Sequence, residues 1–300
     1  MITKNLETTS TMASSFRSRF GQFFMLLKFR FSSLVVFSGV FGYMLGVEGR
    51  INHVVLVALG AGSLLVTGGA NIINQIIERD LDKLMRRTQN RPLPSGTVSV
   101  NEAIIFSSVL SIVGVALLVV FVNPLTAVLS LLSLILYGFI YTPMKQISPI
   151  SVAIGAIPGA LPPLIGWVAA TGAISSGALI LFMIQFIWQF PHFWAIAWVG
   201  DEDYTRAGFK MLPSRGGKNT TSAIQIILYT LFLIPAGILP AHYGLTGFPS
   251  AIIAVLAGIL FLISTFALLK SGDNKAAKRI MFASFIYLPI VQITFLIDKI

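Results

Sequence analysis

Asn74, Glu78 and Asp82 are the residues whose types and spacing best fit chemistry with a metal ion. Their i, i+4, i+8 spacing predicts that all three oxygen-bearing side chains lie along one stripe of a continuing helix. Like charges at this spacing repel each other. A divalent cation would offset that repulsion, so the stripe is a candidate metal site.

A second acidic group, formed by Asp201, Glu202 and Asp203, could complete such a site from elsewhere in the fold. Carboxylate and amide oxygens suit Mg²⁺, which normally keeps several waters and shares its coordination shell with substrate phosphates. Basic residues stand beside both groups or between them: Arg79, Lys83, Arg86, Arg87, Arg91, Lys145, Arg206 and Lys210. A metal ion with Lys and Arg is typical of diphosphate binding.

The elements that must position these residues are membrane helices. Of the 300 residues, 55% are hydrophobic and 11% are charged, whereas a soluble domain has about 25% charged residues. Apolar stretches repeatedly reach the ~20 residues that a helix needs to cross the bilayer. The fold class is an all-α integral membrane protein, because lipid offers backbone groups no water to bond. The absence of cysteine excludes disulfides and thiolate metal sites.

The apolar pattern predicts nine spans. They cover roughly 29–48, 52–77, 102–122, 124–142, 149–170, 174–198, 221–241, 248–269 and 279–297. Nineteen of the 21 Lys and Arg residues then fall on one side, and only Arg50 and Lys299 fall on the other. The positive-inside rule places the N-terminus and the two acidic loops in the cytoplasm.

We expect residues 1–27 to be a cytoplasmic tail and residues 28–300 to be a single transmembrane domain. Basic residues near this boundary, such as Lys28, are explained as orientation signals and contacts to anionic lipid. The net charge of +10 therefore reflects topology and does not indicate nucleic acid binding. A single mixed-charge loop is also typical of a topology signal, but two acidic groups on one face favour a metal–diphosphate site.

Longer segments around these residues resemble the UbiA-type intramembrane prenyltransferases. The stretch NQIIERDLDKLMRRTQNRPLPSG, residues 74–96, is similar to the first signature of that family. The blocks GALPPLIGW, WQFPHF and AGFKML follow in the same order and resemble the branch that acts on haem B. The resemblance covers nearly the whole chain beyond the first twenty or so residues.

The resemblance implies a nine-transmembrane-helix bundle of the UbiA prenyltransferase type, with a cavity that opens toward the membrane. The implied reaction is Mg²⁺-dependent transfer of the farnesyl group of farnesyl diphosphate to a vinyl group of haem B. The products would be haem O, which serves haem–copper oxidase assembly, and diphosphate. The implied location is the bacterial inner membrane. A haem A synthase or oxidase assembly factors would be partners by pathway alone.

The resemblance matches Asn74, Glu78 and Asp82 to the family's first acidic motif, and Asp203 with Tyr204 to its second loop. We expect Asn74, Glu78, Asp82 and Asp203 to hold the metal. The chemistry of the residues extends the predicted catalytic set to Arg91 and Lys145, beside Tyr204. The predicted substrate-binding residues are Arg86, Arg87, Lys145, Trp188, His192, Arg206 and Lys210. Two departures concern ligand geometry: Glu78 stands where the family usually has Asp, and Ala207 replaces the second Asp of a DxxxD spacing. Which of Asp201, Glu202 and Asp203 contacts metal is left open.

His192 is a candidate haem ligand or propionate contact because an ionisable group inside a membrane is by default a functional candidate. The alternative is a histidine bonded to a neighbouring helix. His53 and His242 fall near the opposite membrane face and are weaker candidates. A transferase that uses a quinone precursor would share the metal site and differ only in its acceptor pocket. A cation transporter would need ionisable residues deep in several spans, and the acids here collect at the cytoplasmic end.

Overall fold

The computed structural model describes residues 19–214 and 216–300, and nine spans within them are long and apolar enough to cross a membrane. The helices are α1 (Phe29–Gly46), α2 (His53–Ile77), α3 (Arg79–Asp82), α4 (Val100–Phe121), α5 (Pro124–Ile135), a π-helix (Leu136–Tyr141), α6 (Thr142–Ile147), α7 (Ser151–Thr171), α8 (Ser176–Val199), α9 (Asp201–Arg206), α10 (Thr220–Ala236), α11 (Leu239–His242), α12 (Phe248–Ser271) and α13 (Asn274–Ile297). The segment from α5 to α6 forms one span, and α10 with α11 forms another. The prediction of nine spans and an all-α fold is confirmed.

The last span begins earlier than its hydropathy predicts. Helix α13 starts at Asn274 and not near residue 279, because the Asp273 side chain accepts a hydrogen bond of 2.7 Å from the Ala276 backbone N–H. Such a cap satisfies an amide that the first helical turn leaves without a partner. Lys275 and Lys278, predicted to lie in a loop, therefore belong to the first turns of α13.

Helices α7 and α8 form the centre of the bundle, since 72% and 61% of these spans are buried. Helix α7 packs against α1 and α8, and α8 also packs against α10 and α13. Helices α4 and α12 lie at the periphery, with only 22% and 28% of their spans buried. Their exposed Val, Ile, Leu and Phe side chains suit contact with lipid.

The contact between α1 and α7 depends on glycine. A Cβ atom added at Gly166 would lie 1.8 Å from the Gly39 carbonyl oxygen, and one added at Gly42 would lie 2.0 Å from the Pro163 carbonyl oxygen. The two backbones therefore touch directly, as small residues permit between membrane helices. This contact fixes the position of α1 against the central helices.

The chain end ties several helices together at the face opposite the acidic loops. The Asp298 carboxylate accepts a hydrogen bond of 2.8 Å from the Ser250 backbone N–H at the start of α12. The Lys299 ammonium donates to the carbonyls of Met44 and Val47 at the end of α1. These bonds satisfy backbone groups that helix ends leave without partners.

The expected cytoplasmic tail, residues 1–27, lies partly outside the described residues. Of its described part, residues 19–26 are helical, and Leu26 is fully buried against Ile72 and Leu93. Arg19 pairs with Glu102 at the start of α4. The division at residue 28 stays a prediction, and residues 19–26 pack on the bundle.

Replacing Gly166 by Ala should destabilise the bundle by about 2 kcal/mol, because the added methyl group would overlap the α1 backbone and force the helices apart. Thermal unfolding of the detergent-solubilised protein measures the effect. Gly60→Ala on α2 is the matched control, since its Cβ would meet no atom closer than 4.0 Å. Equal melting temperatures for both variants would contradict a direct backbone contact.

Candidate active site

Asn74, Glu78 and Asp82 are all buried, and the exposed fractions of these residues are 2%, 5% and 1%. They do not lie on one uninterrupted helix: α2 ends at Ile77, and Glu78 joins it to α3 with φ −89° and ψ 5°. The backbone bonds still connect i to i−4 across this join, from Glu78 N–H to the Asn74 carbonyl and from Asp82 N–H to the Glu78 carbonyl. The prediction of a continuing helix is corrected, and the three residues remain one buried group.

A different cation approaches each of these side chains. Lys28 donates to Asn74 Oδ1 at 3.2 Å, and Lys145 Nζ lies 2.8 Å from Glu78 Oε1. Arg91 Nη1 lies 3.0 Å from Asp82 Oδ2. We call these six residues the charged cluster. The ion pairs within this cluster lower the free-energy cost of burying the two carboxylates.

Oxygen atoms of the charged cluster retain capacity for a further ligand. Asp82 Oδ1 is buried without a hydrogen-bond partner among the described residues. Glu78 Oε1 is in ionic contact with Lys145, but the pair lacks hydrogen-bond geometry. A buried acceptor without a donor is unfavourable, and a hard divalent cation would satisfy both oxygens. The donor set of two carboxylates and one amide therefore fits Mg²⁺.

Within the described part of the chain, no three acidic or histidine side chains converge on one point. A metal ion held here would take its remaining oxygen ligands from water or from substrate phosphate, as Mg²⁺ commonly does. Asp80, on the same short helix, points away from the cluster and pairs with Arg79 and Lys83. Hydrogen bonds from these two cations lower the pKa of Asp80 to about 2.

Asp203 lies in α9 and joins this helix to the loop that follows α3. Its carboxylate accepts hydrogen bonds from the backbone N–H groups of Arg86 and Arg87, at 3.2 and 3.3 Å, and from the Arg206 side chain at 3.2 Å. The carboxylate is therefore committed to the loop that follows α3 and not to Glu78 or Asp82. The predicted metal-binding role of Asp203 is untested, and these contacts favour a role in positioning the loop after α3.

Tyr204 strengthens the same junction. Arg87 donates to the Tyr204 hydroxyl at 3.4 Å, and its guanidinium carbon lies 5.6 Å from the centre of the Tyr204 ring. Arg206 also donates to the Leu84 carbonyl at 3.4 Å. The Arg86 side chain is exposed. The structure thus gathers the predicted residues of the two loops but joins them mainly to one another.

Arg91 and Lys145 reach the charged cluster because of local structure. After α3, the Thr88 hydroxyl donates to the Asp82 carbonyl at 2.8 Å, and Arg91 N–H donates to the Thr88 carbonyl at 3.0 Å. This folded loop returns Arg91 to Asp82. In the fourth span, the π-helix precedes α6, and Lys145 Nζ lies 4.6 Å from the centre of the Tyr141 ring.

Lys210 is turned away from the charged cluster. Its backbone N–H donates to the Lys145 carbonyl at 2.7 Å, and its ammonium donates to the Ile147 carbonyl at 3.3 Å. These bonds cap the end of α6 and hold the AGFKML segment beside it. Its predicted role in substrate binding stays a prediction.

Lys28 and Thr142 belong to the site, and sequence reasoning missed both. The sequence pattern favours a lipid contact for Lys28, yet Lys28 reaches Asn74, whose amide also donates to the Thr142 hydroxyl at 3.1 Å. Burial, followed by the neighbouring charges of Arg91 and Lys145, lowers the pKa of Lys28 to about 7. No spacing pattern connects Lys28 to Asn74, because 46 residues separate them.

An uncharged cavity of about 250 Å³ lies beside the charged cluster, inside the bundle. It is lined by α1, α2, the span from α5 to the π-helix, α7, α8 and α13. Asn71, one helical turn before Asn74 and Gln75, is among the lining residues, so the cavity begins next to the charged cluster. Among the residues that the structure describes, those lining the cavity include no Lys, Arg, Asp or Glu.

His192 lines this cavity, and its Nδ1 lies 2.8 Å from the Ser284 hydroxyl. The same hydroxyl lies 2.6 Å from the Met281 carbonyl, which can only accept a proton. Donation of the hydroxyl proton to that carbonyl favours the tautomer with the proton on Nδ1 and the lone pair on Nε2. Trp188 stacks on the ring at 4.4 Å and donates to the Ser284 carbonyl at 2.9 Å. The bond to a neighbouring helix is present, and it leaves Nε2 available as a ligand.

Comparison with known proteins extends this description to the whole chain. The model of the UbiA prenyltransferase family matches residues 35–288. A protoheme IX farnesyltransferase from Cytophaga hutchinsonii is 52% identical over 283 residues, which cover 94% of this chain and 99% of that relative. Another, from Flavobacterium psychrophilum, is 44% identical over 290 residues, with 94% and 96% covered.

Solved structures agree at the level of the fold. A digeranylgeranylglyceryl phosphate synthase has a TM-score of 0.78 at 22% identity, covering 94% of this chain and 98% of its own. A UbiA homologue from Archaeoglobus fulgidus, bound to GPP and Mg²⁺, has a TM-score of 0.67 at 15% identity, covering 91% and 99%. The expected UbiA-type bundle is confirmed. The family match and the near full-length identity to its members show that this chain belongs to the UbiA prenyltransferase family.

Proposed function

We propose that this protein transfers the farnesyl group of farnesyl diphosphate to a vinyl group of haem B, giving haem O and diphosphate. The observation that carries the proposal is the 52% identity to the protoheme IX farnesyltransferase of Cytophaga hutchinsonii, over 94% of this chain. The architecture of the site supports it: a charged cluster that suits a diphosphate adjoins an uncharged cavity that suits hydrocarbon and a flat macrocycle. A cavity without charged side chains does not suit a cation transporter.

The diphosphate would bind at the charged cluster. Asn74, Glu78 and Asp82 would hold Mg²⁺, which when bound supplies positive charge to the diphosphate oxygens. Lys145 and Arg91 lie within ion-pair distance of these carboxylates, so a diphosphate that shares a metal with them lies beside both cations. One of Arg86 or Arg87 would add a further positive charge as negative charge develops on the leaving group.

The cavity would control the reactive carbon. As the carbon–oxygen bond of farnesyl diphosphate breaks, its electron pair leaves with diphosphate, and the vinyl π electrons form the new bond to the allylic carbon. Water then adds to the cationic vinyl carbon and loses a proton, which leaves the hydroxyl group of haem O. The apolar walls exclude bulk water before bond formation. The ring faces of Trp188 and nearby aromatic residues can stabilise positive charge.

His192 would bind the acceptor. Its Nε2 lone pair is directed by the Nδ1–H bond to Ser284, and metal-ligating histidines commonly use their second nitrogen in this way. We propose Nε2 as a ligand of the haem iron, with Trp188 holding the ring plane. A contact from His192 to a haem propionate is the alternative.

The distribution of charge supports a bacterial inner-membrane protein with its N-terminus and both acidic loops in the cytoplasm. Farnesyl diphosphate would then reach the charged cluster from the cytoplasm, because its charged diphosphate group stays in water. Haem B and haem O would be exchanged with the bilayer or with later enzymes of haem–copper oxidase assembly, such as a haem A synthase.

Asp82→Ala should reduce formation of the farnesylated haem at least about a hundredfold, because it removes a buried carboxylate at the diphosphate site. Mass spectrometry of haem extracted after incubation with haem B, farnesyl diphosphate and Mg²⁺ measures the product. Asp80→Ala, an exposed change on the same short helix, is the matched control and should retain activity. If the wild-type protein does not farnesylate haem B but does prenylate a quinone precursor, the assignment of haem B as the acceptor is wrong.

Asp203→Asn should raise the KM for farnesyl diphosphate about tenfold without changing the Mg²⁺ concentration needed for half-maximal rate. The reason is that Asp203 holds the backbone of Arg86 and Arg87, and an amide cannot accept both bonds with full strength. Steady-state kinetics at varied Mg²⁺ test this, with exposed Glu202→Gln as the control. An increased Mg²⁺ requirement would instead assign Asp203 to the metal.

His192→Ala should weaken haem B binding at least about tenfold and change the absorption bands that report the axial ligand of the iron. Titration of the purified protein with haem B, followed by absorption spectroscopy, measures both. His242→Ala, at the opposite end of the bundle, is the control. Unchanged haem affinity and spectrum in His192→Ala would remove its ligand role.

A further inference from the structure

Three buried glutamines line the uncharged cavity, although a hydrocarbon chain bound there would form no hydrogen bonds with them. Gln185 and Gln189 lie on α8 and Gln292 lies on α13, and each is no more than 5% exposed. A buried amide that lacks hydrogen bonds is costly in a membrane interior. Each of these amides therefore needs a polar partner, either from the protein or from a bound ligand.

Two of the glutamines already have protein partners. Gln292 Nε2 donates to the Ser38 hydroxyl and to Gln185 Oε1, both at 3.1 Å. Gln185 Nε2 donates to the Gly159 carbonyl at 2.8 Å. This network joins α1, α7, α8 and α13 around one end of the cavity. It is adequately explained as packing between helices.

Gln189 differs, because its amide has no hydrogen-bond partner within residues 19–214 and 216–300, although the residue is only 4% exposed. Gly159 leaves space for the Gln189 side chain, because a Cβ atom at this position would lie 2.5 Å from Gln189 Nε2. The side chain is thus held against the α7 backbone by shape, with its donor and its acceptor unused. It also lines the cavity.

The chemistry of a primary amide restricts what could pair with it. Its N–H donor and C=O acceptor lie side by side, which matches the C=O and O–H of a carboxylic acid in a two-point pair. Within residues 19–214 and 216–300, no Lys or Arg lines the cavity to offset an ionised carboxylate, whose burial would be costly. A neutral, protonated carboxyl group is the complementary partner.

The position of Gln189 agrees with this partner. Gln189 and His192 are three residues apart on α8, so their side chains are neighbours on one face, with Cβ atoms about 5–6 Å apart. A macrocycle held at His192 would therefore bring its peripheral substituents past Gln189. The proposed acceptor, haem B, has propionic acid side chains as such substituents.

We propose that Gln189 binds a propionic acid side chain of the acceptor in its protonated form, and so selects a carboxyl-bearing macrocycle and sets its orientation in the cavity. This inference rests on the proposed function, since it concerns the acceptor of that reaction. The Gln185–Gln292–Ser38 network positions the helices around this contact.

Initial rates with haem B and with its dimethyl ester test the inference in wild type and in Gln189→Leu. The ester keeps the vinyl groups and the iron but lacks the carboxyl O–H. We expect the wild-type KM for haem B to be about tenfold lower than that for the ester, and Gln189→Leu to remove this difference by raising only the KM for haem B. Gln225→Leu, half-buried on α10 and outside the cavity, should change neither value.

An equal rise of KM for both acceptors in Gln189→Leu would overturn the inference, because a merely structural residue affects both alike. Equal KM values for haem B and its ester in wild type would also overturn it, and this comparison does not require the variant to fold. If wild type prenylates neither macrocycle but does prenylate a quinone precursor, the proposed function itself fails. That result is distinguishable because it appears before any substitution is made.

Discussion

Two carboxylates and an amide are buried together at the C-terminal end of α2, and the energetic cost of that burial constrains the structure around them. Removing one partner of a buried ion pair typically costs about 3–5 kcal/mol, since the remaining charge is uncompensated. Lys145 comes from the fourth span, Arg91 from the loop after α3, and Lys28 from the residue before α1. The charged cluster can therefore exist only when three separate parts of the chain are in place.

The second constraint is the separation of the charged cluster from the cavity. Transfer of an allylic group requires strong positive charge at the leaving diphosphate and little competing water at the carbon. The structure meets both requirements by placing every Lys, Arg, Asp and Glu of the site at one end and leaving the cavity wall uncharged. Gly39, whose carbonyl takes part in the close contact between α1 and α7, also lines the cavity. Close helix packing and the cavity wall are thus linked through this residue.

Sequence reasoning succeeded where the information is local. Hydropathy predicted the nine spans, and the i, i+4, i+8 spacing predicted that Asn74, Glu78 and Asp82 share one face, where the structure buries all three. It failed where contacts join distant parts of the chain. The bond between Lys28 and Asn74 spans 46 residues, and the bonds from the Arg86 and Arg87 backbone to Asp203 span 117 and 116.

Neutral polar residues were missed for a different reason. In a sequence, Gln189 between Trp188 and Phe190 cannot be told from a residue that pairs with a neighbouring helix, as Gln185 does. Only the packed structure reveals which amide is left without a partner. The break at Glu78 was also invisible, because the i to i−4 backbone bonds continue through it and the amphipathic pattern does not change.

Helix α8 carries several polar side chains of the cavity and leads directly into α9. Gln185, Gln189 and His192 follow one face of this helix, and α9 with Asp203 begins directly after its end. His192 lies seven residues before Val199, which is about 10 Å along the helix axis. Because α8 is among the most buried spans, it is a rigid element that fixes the spacing of these side chains. The cavity that they line begins beside the charged cluster, at Asn71. With the acceptor held at His192 as proposed, the depth of the acceptor in the cavity would follow from the spacing of residues on one helix.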